Sequence, residues 1–300
     1  MGYLGQSSAA VGNTSKLAMS AWVYIPASSL NTPPLWTQIP FVSFGPQIAG
    51  TQSYATWIGF NRNQGALRNQ FFAYIGGEVY APAGFQRNVK VITNVTDLQN
   101  TAGIGTDSWH HIFFSIDVSG PFDHLNEALW EGGFTEDTLA VVINGEVVEF
   151  PNVVGTGGIL HGPSGVLVED PLPGITIQVG NLPLGVPSTE AVQTVPAAAG
   201  NARWINGTGA PNRLICMDML MVWFDQFIPA TPSNLEKLVI VSDGIGRPAP
   251  MAVAAAAFGE PQLKFKGGAE SFKTNLGAGG AFSKVGTLTN FNPTPSVNLD

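Results

Sequence analysis

The sequence predicts an all-β sandwich, and three observations carry that expectation. Apolar residues alternate with a period of two along several short runs, the signature of strands that bury one face. One hairpin is marked by an Asn-Gly pair between two β-branched runs. The composition, with 36 Gly and 22 Pro in 300 residues, is that of many strands joined by turns. A sandwich can absorb most of this length as one domain.

Taken in order, Leu17 to Ile25 alternates, with Leu17, Met19, Ala21, Val23 and Ile25 on one face and Trp22 and Tyr24 on the other. Phe41 to Phe44, Tyr54 to Phe60 and Gln70 to Tyr80 are further β-rich runs bounded by Gly, Pro and Asn. Trp109 to Val118 places Ile112, Phe114, Ile116 and Val118 on one face. His111, Ser115 and Asp117 fall on the other, which predicts a half-buried strand. In Leu139 to Phe150, Asn144-Gly145 supplies the two positive-φ residues of a type I′ turn. Residues 151–212 read as loop-rich, with one strand at Ile175 to Val179. Arg213 to Phe224 is apolar on both faces apart from Asp218, as in a central strand.

One helix is expected, capped by Thr231, with Pro232 in its first turn and Leu235, Leu238 and Val239 as its apolar stripe. The composition shifts near Gly244. Ile245 to Pro250 reads as a linker, Met251 to Phe258 as a short apolar segment, and Pro261 to Asp300 as a Gly-, Asn- and Thr-rich stretch with widely spaced Phe. About forty residues bury little core alone. The expected organisation is therefore a sandwich over residues 1–244 and a C-terminal extension over 245–300. Phe265, Phe272, Phe282 and Phe291 of that extension are candidates for attachment to a partner surface.

Only 11% of residues are charged, against about 25% in an average soluble domain. This suits a surface partly covered by neighbours. The net charge of −8, with 13 Lys and Arg in no cluster, argues against nucleic acid and against an anionic membrane surface. The longest apolar run, Ala249 to Phe258, is too short to cross a bilayer, so no membrane insertion is expected. Cys216 is the single cysteine, which excludes an intrachain disulfide. Met1 to Val11 lacks the basic start and apolar stretch of a signal peptide, so the chain is expected to be made in a reducing cytosol or to leave it without a classical signal.

The order of these segments resembles a laminin-G/concanavalin-A-like domain. The pieces are Leu17-Ala-Met-Ser-Ala-Trp-Val-Tyr-Ile25, Trp109-His-His-Ile-Phe-Phe-Ser-Ile-Asp117, the hairpin Val141-Val-Ile-Asn-Gly-Glu-Val-Val148, and Met217-Asp-Met-Leu-Met-Val-Trp223 leading into Pro232-Ser-Asn-Leu-Glu-Lys-Leu238. The resemblance covers roughly residues 15–243 and implies a jelly-roll β-sandwich. Phe272-Lys-Thr-Asn275, Gly277-Ala-Gly-Gly-Ala-Phe282 and Gly286-Thr-Leu-Thr289 are similar to C-terminal stretches of tailed-phage structural proteins. Together these imply a non-enzymatic virion component, a head-decoration or tail-associated protein assembled in the bacterial host cytoplasm. Its partners would be other virion proteins, as a homo-oligomer or in a capsid or tail lattice, and a host-surface glycan. A carbohydrate-binding lectin is the alternative, and a polysaccharide-cleaving enzyme the third reading.

Enzymes of the laminarinase-like class within this fold carry Glu-x-Asp-x-x-Glu on one strand, which sets two carboxylates on one cleft. That string is absent, and Glu127, Glu131, Glu136 and Asp137 lie in a Gly-containing segment without strand alternation. No catalytic residue is assigned. His110 and His111 are adjacent, so on a strand they point to opposite faces and cannot share one zinc ion. Asp117, Asp123 and Asp137 form no ligand run for calcium, and neither metal nor cofactor is expected. Trp36, Trp57, Trp130 and Trp204, placed in or beside loops, are the candidates for stacking on sugar rings.

Overall fold

A computed structural model describes residues 2–5, 16–24, 36–44, 56–63, 68–80, 85–93, 108–117, 136–148, 175–179, 203–205, 216–268, 270–272, 274–281, 283–286 and 294–298. An eight-stranded sheet runs in the order β10 (Ile175–Val179), β6 (Phe85–Thr93), β5 (Arg68–Tyr80), β4 (Thr56–Asn63), β3 (Trp36–Phe44), β11 (Arg203–Ile205), β1 (Gly2–Gly5) and β16 (Ser283–Gly286). A six-stranded sheet runs β15 (Leu263–Lys266), β12 (Cys216–Phe224), β2 (Lys16–Tyr24), β7 (Trp109–Asp117), β8 (Leu139–Ile143) and β9 (Glu146–Val147). A small third sheet joins β13 (Val239–Ser242), β14 (Ile245–Pro248) and β17 (Val297–Asn298). Pairing among these strands is antiparallel throughout. Two short helices, α1 (Pro232–Leu235) and α2 (Met251–Phe258), complete the described residues. The chain is all-β.

The two large sheets meet where Phe71 of β5 packs on Phe114 of β7, with ring centroids 5.5 Å apart. The alternation expected in β2 sets Leu17, Met19, Ala21 and Val23 on this side. They lie level with Ile116, Phe114 and Ile112 of β7 and with Val222 and Leu220 of β12. The second side of β7 is buried too, which corrects the half-buried expectation. Trp109 and Phe113 join a core with Trp22, Met219, Met221, Trp223, Ile228, Leu238, Val239, Met251 and Ala254. Polar residues enter this core because each finds a partner. Ser115 Oγ accepts from Ile228 N at 2.8 Å, and Ser20 Oγ and His111 Nε2 lie 3.0 Å apart. Asp117, at the strand end, pairs with Lys16 Nζ at 2.9 Å.

The Asn-Gly hairpin forms as expected, with φ of 54° at Asn144 and 86° at Gly145. Asn144 also does something its turn role does not require. Its side chain is buried, and Oδ1 accepts from His111 N at 3.1 Å while Nδ2 reaches His110 Nδ1 at 3.1 Å. Since Nδ2 can only donate, His110 Nδ1 accepts, which leaves its Nε2–H to donate to Ser108 Oγ at 3.0 Å. Asn144→Ala is expected to lower stability by about 2–3 kcal/mol, because it strands a buried backbone N–H and forces Ala into positive φ. Chemical denaturation checks this, and Asn144→Gly, which relieves the backbone strain but not the lost bond, should fall in between.

The residues after Gly244 belong to the same packing as those before it. β15 extends the six-stranded sheet beyond β12, with Leu263 opposite Val222 and Phe265 opposite Leu220. Helix α2 drives Met251 and Ala254 into the core around Trp22 and Trp223. The Trp223 indole donates to Gly259 O at 2.8 Å, and Phe258 meets its ring edge-on at 5.9 Å. The expected boundary at 244 therefore runs through one core. The attachment role expected of Phe265 and Phe272 is corrected as well. Both are buried in their own chain and stack on each other at 5.5 Å. Asn275 holds the turn beyond them: Oδ1 accepts from Lys264 N at 2.8 Å, and Nδ2 donates to Gln262 O at 3.0 Å and Gly280 O at 2.9 Å. Phe282 and Phe291 lie outside the described residues.

Candidate functional site

Three titratable groups on the strands of the six-stranded sheet are shifted by burial. Burial lowers the His111 imidazole to a pKa of about 3, so it is neutral across the physiological range. Among the described residues its Nδ1, like the Trp22 indole N–H facing the same core, has no hydrogen-bond partner. Burial pushes the Cys216 thiol up to about 11, which keeps it protonated and a poor nucleophile. Burial also raises the Asp218 carboxyl, with Lys266 opposing the shift. Asp218 is the odd residue at a break in register between β12 and β2, a bulge that explains one acid in an otherwise apolar central strand. Among the described residues, no group of three or more His, Cys, Asp or Glu is placed to hold a metal ion.

A different set of residues is assembled by the register of the eight-stranded sheet. One cross-strand row, read from Ile205 of β11 to Ile177 of β10, is Ile205, Val42, Ile58, Ala73, Val91 and Ile177. Val42, Ile58 and Ala73 are buried, so this row belongs to the face turned to the core. The next row alternates to the opposite face and reads Trp204, Ser43, Trp57, Tyr74, Lys90 and Gln178. Two Trp positions thus flank Ser43 across neighbouring strands, about 9–10 Å apart at two strand spacings.

Further along the same face come Pro40, Gly59 and Phe72 in one row, Gln38, Asn61 and Gln70 in the next, and Trp36, Asn63 and Arg68 in a third. A bulge at Phe41, where the register shifts between Pro40 and Val42, is what brings Trp36, Gln38 and Pro40 onto the face of Ser43. Without that extra residue they would fall on the core side. Three of the four Trp residues singled out from the sequence therefore stand at the first or second residue of a strand, and on one face. Trp130 lies outside the described residues. Tyr74 and the amide positions were not singled out, since only strand pairing brings them beside the Trp positions. No family model, curated protein or solved structure matches this chain.

Proposed function

We propose that the chain is a non-enzymatic structural component of a tailed-phage virion, a head-decoration or tail-associated protein. In this reading it is built on a concanavalin-A-like jelly roll and works by binding through the outer face of its eight-stranded sheet. The observation that carries the binding reading is the row Trp204, Ser43, Trp57 and Tyr74 on the face opposite Val42, Ile58 and Ala73. The core face carries Val42, Ile58, Phe71 and Ala73, and in this reading the opposite face, which also carries the row Pro40, Gly59 and Phe72, is the one left for a partner. The order of segments resembling the lectin-like fold, and the C-terminal stretches similar to phage structural proteins, support the virion assignment. With Phe265 and Phe272 in the core, contact with neighbouring virion proteins falls to other surfaces.

Mass spectrometry of particles purified from the phage that encodes the chain tests this. The protein is expected in a fixed ratio to the major capsid or tail protein, and its absence from washed particles would sink the assignment. The isolated protein is also expected to release no reducing ends from a panel of glucans and galactans. Release that is lost on Glu127→Gln or Glu131→Gln would make it an enzyme instead. A free-standing carbohydrate-binding lectin is the second reading, favoured by the paired Trp positions beside Ser43.

A further inference from the structure

We infer that a single water molecule is bound inside the core of the six-stranded sheet, bridging the indole nitrogen of Trp22 and Nδ1 of His111. The inference goes beyond the binding reading above and does not depend on it. Trp22 and His111 stand directly opposite each other on β2 and β7. The alternation of both strands puts their side chains on the side of Trp109, Phe113, Met221 and Trp223. Both residues are buried, and their ring centres lie 5.2 Å apart. Among the described residues, Trp22 Nε1 and His111 Nδ1 are the only two buried side-chain polar atoms without a hydrogen-bond partner, and they belong to cross-strand neighbours.

A buried polar atom without a partner is costly, so native cores supply one from protein or from ordered water. Two such atoms at unrelated places would need two separate partners. On neighbouring rings one oxygen serves both. An oxygen hydrogen-bonded to two nitrogens at ordinary distances spans up to about 6 Å between them, which suits rings this close. Chemistry narrows the ligand further. The Trp22 indole can only donate, so it calls for a lone pair and repels a cation. An anion would bring an unpaired charge into this core, because the described buried residues include no Lys or Arg and His111 is neutral. A neutral water fits either tautomer of His111. If Nε2 donates to Ser20 Oγ, 3.0 Å away, then Nδ1 is a bare lone pair. The water then accepts from Trp22 and donates to Nδ1. If Ser20 donates to Nε2 instead, Nδ1 carries the proton and the water accepts from both rings. Either way Ser20, His111, the water and Trp22 form one hydrogen-bonded line between β2 and β7.

A crystal structure of the full chain, at a resolution that shows ordered water, is expected to place one oxygen within hydrogen-bond distance of both atoms. In solution, the indole proton of Trp22 should show a cross-relaxation peak to water with the sign of a long-lived bound molecule. Trp22→Phe keeps an apolar ring and removes the donor. In that variant the nitrogen resonance of His111 Nδ1 should move, while Nε2, held by Ser20, keeps the shift of the same tautomer. A role for Trp22 in packing alone would leave Nδ1 where it was. Should Trp22→Phe fail to fold, the crystal structure and the water peak of the unsubstituted chain decide the matter. Density with no oxygen at this place, an oxygen bonded to only one of the two atoms, or a protein acceptor on the Trp22 indole overturns the inference. An Nδ1 resonance unchanged in a well-folded Trp22→Phe variant does so too. Particle composition reads the virion assignment separately, so that assignment and the bound water can fail independently.

Discussion

A chain ended at Gly244 is expected to lose its cooperative melt and to aggregate. The truncation takes away β15, helix α2 and the buried side chains of Met251, Leu263, Phe265 and Phe272. Each contributes about 1.5–3 kcal/mol by leaving water, and the whole stability of a domain is only about 5–15 kcal/mol. The loss is larger than that sum, because what remains is also exposed. β12 would become an edge strand, with free backbone groups along the side now bonded to β15. Trp22, Trp223 and Met221 would lose the helix that covers them. Calorimetry and size-exclusion chromatography of residues 1–244 read the outcome. A soluble fragment with a single sharp melt would mean that the six-stranded sheet is complete without its last strand.

Acidification should destabilise the protein well before its carboxylates are neutralised. In the folded chain His111 stays neutral down to about pH 3, because the core gives a charged imidazole no solvation. In the unfolded chain it takes up a proton near pH 6.5. The unfolded state therefore binds more protons between these values, and stability falls as pH falls through that window. At pH 5 the cost is about 2 kcal/mol, and it grows to about 4 kcal/mol by pH 3. Above pH 6.5 the term vanishes. Asp218 acts in the opposite sense: its carboxyl is held above the usual range, so its protonation at low pH relieves a cost of burial. Denaturant melts from pH 7 to pH 4 should show the decline, and His111→Gln should flatten it. A stability that holds level from pH 7 to pH 4.5 in the unsubstituted protein would contradict the buried, neutral imidazole.

The central strands were legible in the sequence because their cause is local. Alternation in Leu17 to Val23 and the Asn144-Gly145 turn each lie within a few residues, and both appear where expected. The second face of β7 was not legible. His111 and Ser115 read as solvent-facing, yet one pairs with Ser20 and the other accepts from Ile228, 113 residues away. Phe265 and Phe272 misled for a related reason. Spaced Phe among Gly and Asn looks like loose chain until β12 supplies the edge on which Leu263 to Lys266 can pair. The candidate site was half legible. Trp36, Trp57 and Trp204 stood out by residue type, but their common face depends on strand pairing and on the bulge at Phe41, which no single stretch of sequence encodes.

The position of β2 has a consequence for synthesis. It lies between β7 and β12, so Leu17 waits for Phe224, its partner some 200 residues later. At the usual pace of translation that wait is roughly 10–40 s. Through it, Trp22 and the other residues later covered by α2 have no lid, and β1 has yet to meet β16, its neighbour near the far end of the chain. The nascent protein therefore carries this core open while residues 17–224 are made, and its call on chaperones lasts until the helix bearing Met251 and Ala254 emerges to close it.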